Sequence, residues 1–155
     1  MGVAVKDGVY GGVAAEDRKV LRRTKLLDAT LAVWGREGGP PLTMTRVCAE
    51  AGLTERYFYE SFTGLDQAQI AVMERVAAEI AERTVAALAS TPGDPAARVR
   101  AAIGAFVQIL TDDPRKGRVA IVESATVDAV RAPRARMLRQ FAELRHRQRA
   151  AAVLQ

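Results

Sequence analysis

Cysteine, histidine and aromatic residues are scarce in this 155-residue chain: one Cys, one His, and 5% Phe, Trp and Tyr together. With Cys48 alone, no disulfide can form within the chain. A lone cysteine in an apolar helical pattern suits a buried, reduced thiol, so the expected location is the cytoplasm. His146 has no second His and no Cys close by in sequence, which leaves no metal set to build. One His also gives little for acid–base chemistry. The sequence has no Gly-x-Ser-x-Gly turn, no phosphate-binding Gly-Lys-Ser/Thr loop and no dinucleotide fingerprint. An enzyme is therefore not expected, and no cofactor is implied. No apolar run approaches the roughly eighteen residues that a membrane span needs. Residues 1–15 lack the charged start and continuous apolar core of a secretion signal and read as a flexible Gly-rich arm. What is present is a 49% apolar composition, at a length that can bury roughly 68–70% of the unfolded chain's surface.

A net charge of +5 invites a nucleic-acid partner, but the excess is uneven. Residues 16–75 carry nine basic and nine acidic side chains, whereas residues 131–155 carry seven basic and one acidic. Bulk charge thus does not favour DNA binding by the N-terminal half, and local placement of cations has to carry that reading. Arg18, Lys19, Arg22, Arg23 and Lys25 form one such local patch. At helical spacing Arg18, Arg22 and Lys25 share one side, and Lys19 and Arg23 share an adjacent one.

The apolar pattern predicts helices throughout and no strand. Val20, Leu27, Leu31 and Trp34 mark a first helix over 17–37, closed by Gly38, Gly39, Pro40 and Pro41. Thr43 caps a short second helix to about Ala51, Gly52 ends it, and Thr54 caps a third through Ser61. A long fourth helix follows over 65–89 with Ile70, Met73, Val76, Ile80, Val85 and Leu88. A fifth runs from Pro95 to about Thr111 with Val99, Ile103, Phe106, Val107 and Leu110. A sixth is expected over 116–130 and a seventh over 133–154.

Residues 42–62, LTMTRVCAEAGLTERYFYESF, have helix-turn-helix spacing. In that arrangement the second helix enters the DNA major groove while the first crosses the backbone. Thr43 and Thr54 stand at helix starts where free amides hold phosphate oxygens, and Tyr59 adds a hydroxyl from the next turn. Base reading falls to Thr45, Glu55, Arg56 and Tyr57, where Arg56 suits guanine edges and Glu55 a cytosine amine. Arg46 and Ser61 lie in the same segment and complete the candidate DNA-binding set with Arg22 and Arg23.

The segment AGLTERYFYESF resembles the signature of the TetR family of one-component transcriptional regulators. Ala51, Gly52, Leu53, Thr54, Phe58, Tyr59 and Phe62 match its pattern, and the likeness extends over about residues 20–75. Many members carry Gly in place of Arg56, His in place of Ser61 and Lys in place of Leu65. Those departures remove part of the usual phosphate grip, which the patch from Arg18 to Lys25 would replace. The resemblance implies an all-α fold with a DNA-binding domain over 16–64, joined by a long helix to a C-terminal effector-binding and dimerisation domain over 65–155. It further implies a ligand-responsive repressor that binds a palindromic operator as a homodimer and is released by a small-molecule effector.

Met73, Phe106, Leu110, Ile121, Met137 and Phe141 are candidates for lining the effector pocket. Family members are typically longer, so either this chain dimerises through its sixth and seventh helices or its C-terminal domain is truncated. The arginines of 131–155 fit a solvated helix face, an acidic partner, or a second nucleic-acid contact. The alternative class is a helical architectural or interaction protein that binds nucleic acid without sequence preference.

Overall fold

A computed structural model describes residues 8–136 together with 139 and 143, with side chains from residue 14 onward. Every element among them is helical. In order they are α1 (Gly8–Trp34), α2 (Met44–Ala51), α3 (Glu55–Ser61), α4 (Leu65–Ala89), α5 (Pro95–Asp112) and α6 (Pro114–Gly117). A π-helical segment (Arg118–Glu123), a short α7 (Ser124–Thr126) and a 3-10 turn (Asp128–Val130) follow. No helix among the described residues is long and apolar enough to cross a membrane.

Helix α1 starts at Gly8, so residues 8–15 are helical where a flexible arm was expected; residues 1–7 lie outside the described residues. Once a helix is nucleated, each added residue gains a hydrogen bond, and Ala14, Ala15 and Glu16 are good formers across which it propagates. Only its second half is packed. Leu26, Leu27, Ala29, Leu31, Val33 and Trp34 are buried, whereas Ala14 to Leu21 are exposed, including Val20 from the expected apolar stripe. Buried Thr30 satisfies its hydroxyl by donating to the Leu26 carbonyl at 2.7 Å.

The packed half of α1 meets α2, α3 and α4, and the resulting core joins Leu26, Leu31, Val47, Phe58, Phe62 and Val72. The Phe58 and Phe62 ring centroids are 5.5 Å apart, and both side chains are essentially removed from solvent. Burial of an aromatic of this kind stabilises by roughly 1.5–3 kcal/mol. Helix α4, about 37 Å long at 1.5 Å per residue, runs on from this cluster. It buries Val72, Met73, Val76, Ile80 and Leu88, while Ile70 is half-buried and Val85 exposed.

Helix α5 returns along α4. Its start is fixed by Asp94, whose carboxylate accepts from the amides of Ala96 (3.0 Å) and Ala97 (3.2 Å), with Pro95 in the first turn where no amide is required. Arg83 on α4 pairs with Asp112 at the end of α5 (3.2 Å), and Lys116 pairs with Glu79 (2.6 Å). Val99, Ile103 and Val107 form an exposed row on α5 rather than a buried one.

The continuous sixth helix expected over 116–130 is broken. Asp113 ends α5 and caps α6, accepting from the Arg115 amide at 3.2 Å. The chain then widens into the π segment, whose first and last residues, Arg118 and Glu123, are paired at 2.9 Å. A five-residue separation suits the wider π turn better than an α-helix. Val127 adopts an extended backbone and ends the run. Residues 131–136, 139 and 143 are helical, and the other positions of the expected seventh helix, Met137 and Phe141 among them, lie outside the described residues.

Candidate nucleic-acid interface

Two short helices, α2 and α3, and the exposed polar groups they carry make up the candidate surface. Thr43 is extended and its Oγ1 accepts from the Arg46 amide (3.3 Å), which fixes the start of α2. At the other end Gly52 takes a left-handed conformation (φ 64°), its amide donating to the Ala49 carbonyl (3.2 Å) while the Leu53 amide donates to the Cys48 carbonyl (3.0 Å). That pair of bonds satisfies carbonyls otherwise left open at a helix end, and only glycine adopts the required φ without strain. The chain therefore turns sharply and restarts at Thr54.

Thr54 occupies the cap position of α3, but its side chain makes no capping bond. What anchors α3 is packing. Phe58 and, just beyond the helix, Phe62 insert into the core, so the opposite face of this seven-residue helix is turned outward. Thr54, Glu55, Arg56 and Tyr59 are exposed there, as is Thr45 on α2. Arg56 has 84% of its side chain accessible.

Four candidate residues, Arg22, Arg23, Arg46 and Tyr57, are engaged with neighbouring groups. Tyr57 is half-buried, with the Arg22 guanidinium lying 4.5 Å over its ring, so it does not project beside Glu55 and Arg56 as expected. The Arg23 guanidinium stacks 4.9 Å over Phe62. Cation–ring contacts of this kind are worth roughly 0.5–1 kcal/mol near a surface. Arg46 donates from Nη1 to the Pro41 carbonyl (3.0 Å), tying α2 to the preceding loop. Ser61 is half-buried at the end of α3. Within the patch on α1, Arg18, Lys19, Arg23 and Lys25 are exposed and Arg22 is half-buried, and Arg22 and Arg23 stack on aromatic rings in and just beyond α3.

One carboxylate that sequence reasoning left out sits at the centre of this surface. Glu60 places Oε1 3.2 Å from Nε of Arg56 and Oε2 3.7 Å from Nη2 of Arg22. The Arg56–Glu60 spacing of one helical turn was visible in the sequence; the approach of Arg22 from α1 was not.

Behind this surface Cys48 is buried in α2. Burial, and secondarily the negative charge of Glu55, push its thiol above the ordinary cysteine value, so it stays protonated and unreactive at neutral pH.

Of the expected effector-pocket residues, Met137 and Phe141 lie outside the described residues, and the other four differ in burial. Met73 is fully buried in the core, Phe106 and Leu110 are half-buried, and Ile121 is about half exposed. A cleft of about 580 Å³ lies elsewhere, between the end of α1 and α6, and is lined by Gly35, Arg36, Glu50, Asp113, Arg115 and Arg118 among others. Within it the Arg115 guanidinium donates to both carboxylate oxygens of Asp113 at 2.8 and 2.9 Å, which holds that carboxyl below the ordinary aspartate range. Arg36 pairs with Glu50 across the cleft wall at 3.5 Å. Compared with known proteins, the chain matches no family model and no curated protein.

Proposed function

We propose that this chain is a sequence-specific DNA-binding transcriptional regulator of TetR type, in which α3 enters the major groove. The observation that carries the reading is the junction at Gly52, where a left-handed turn restarts the chain as a short helix with Phe58 and Phe62 buried and Glu55, Arg56 and Tyr59 outward. A helix locked from behind by two aromatic rings offers a rigid, polar, groove-sized edge, and rigidity is what turns hydrogen-bond donors into base readers. Arg56 suits guanine, Glu55 a cytosine amine and Thr45 a base edge, while Thr43, Thr54 and Tyr59 suit phosphate and sugar. Arg22 and Arg23 act from behind α3, setting its orientation. In this reading the regulator is a homodimeric repressor whose two α3 helices meet successive major grooves roughly 34–36 Å apart. A small-molecule effector bound in the C-terminal part weakens DNA binding by the factor with which DNA weakens effector binding.

Selection of binding sites from random duplex, followed by titration of the selected site and a scrambled duplex at one salt concentration, tests the reading. A specific regulator prefers its site by at least about a thousandfold. Equal affinity for both duplexes overturns it in favour of an architectural protein that binds without sequence preference.

A further inference from the structure

We propose that Glu60 is the positioning residue that makes Arg56 a base reader instead of a phosphate binder, an inference that rests on the DNA-reading role of α3. Glu60 lies one helical turn beyond Arg56 and uses Oε1 to accept from its Nε–H at 3.2 Å. A guanidinium is a planar fork with five N–H donors. A carboxylate on Nε leaves the edge formed by the two Nη nitrogens for a second bidentate contact, the geometry that matches guanine O6 and N7. Without such a prop an arginine 84% exposed samples many rotamers, and its charge goes to whichever phosphate is nearest.

The other oxygen of the same carboxylate faces Arg22 at 3.7 Å, and Arg22 lies over the Tyr57 ring. Glu60 is therefore held from α1 while it holds Arg56 on α3, and its own side chain is only 36% exposed. The same negative charge opposes the approach of a phosphate to either arginine. On random duplex, where no guanine edge rewards the ordered fork, that opposition is uncompensated.

The test uses the full chain and compares wild type with Glu60→Gln, Arg56→Ala and the double variant. Affinity is measured for the selected site, for each of its single base-pair substitutions, and for random duplex over a range of salt. Arg56→Ala is expected to flatten preference at one guanine position. Glu60→Gln is expected to reduce preference at that same position by about tenfold, comparable with the discrimination of one bidentate pair. Its affinity for random duplex is expected to rise about threefold, with a salt slope steeper by about 0.9, the increment for one added phosphate contact. In the Arg56→Ala background Glu60→Gln should no longer change base preference. Retained guanine preference in Glu60→Gln, or an equal loss of affinity for every duplex, overturns the role of Glu60. A wild type that prefers no sequence instead refutes the underlying reading of α3.

Discussion

Replacing Gly35 by alanine puts a methyl group where the structure has no room for one. A Cβ built there lies 2.7 Å from the Arg115 Cβ, 2.8 Å from its carbonyl oxygen and 2.9 Å from its Cα. Two of those three atoms belong to backbone that is itself fixed by the Asp113 cap, so relief requires α6 to move away from α1. Overpacking of this kind costs about 1–3 kcal/mol. The same substitution reduces the entropy of the unfolded chain, which returns about 0.4–1 kcal/mol. The middle of the two ranges gives a net loss of about 1.3 kcal/mol, or about 3–5 °C in Tm for a chain of this size. Gly104→Ala is the matched control. Gly104 lies within α5 with nothing within 4 Å of its added Cβ, so the helix preference of alanine should stabilise by about 0.5–1 kcal/mol. Urea unfolding with the slope m held in view separates the two cases. A midpoint for Gly35→Ala equal to or above that of wild type would refute the close α1–α6 approach.

Two further outcomes follow from the packing and the charges. Phe58→Ala removes the largest fully buried ring beneath α3 and should destabilise by about 3–5 kcal/mol in urea titrations; a loss below about 1 kcal/mol would place that ring outside the core. Asp113→Asn keeps an acceptor at the α6 cap but removes the charge that Arg115 holds. Because the folded-state carboxyl lies below its ordinary value of 3.8, the stability it contributes is present above that pH and is lost as pH falls through the lower folded value. The variant should therefore be less stable than wild type at pH 7 and converge with it at the acid end, and a constant gap between the two curves across pH would contradict the assignment.

The local punctuation of the chain was legible in its sequence because it depends on single residues. Thr43, Gly52, Gly64 and Pro95 marked helix boundaries that the structure places at Met44, Ala51, Leu65 and Pro95. Patterns that depend on partners were less legible. The apolar spacing of Val99, Ile103 and Val107 predicts a helix correctly but not which side of it is covered. The run from Lys116 to Val130 has helical periodicity, yet the Arg118–Glu123 pair and the extended Val127 divide it, and neither effect appears in a hydrophobic count. In the candidate site, Glu55 and Arg56 are outward as their position after the turn implied. Tyr57 is not, because Arg22, thirty-five positions earlier in the chain, covers its ring.

A single thiol, buried where α2 packs against α1, makes this protein its own reporter. Thiol-specific reagents reach Cys48 only through transient opening of that packing, since its protonated and enclosed state leaves almost no direct route. Labelling rates therefore measure the free energy of opening of the N-terminal helices separately from that of the α4–α5 pair, with no foreign probe introduced. Under the proposed function, DNA bound at α3 should slow the labelling in proportion to its occupancy, and labelling unchanged by saturating selected duplex would count against that function.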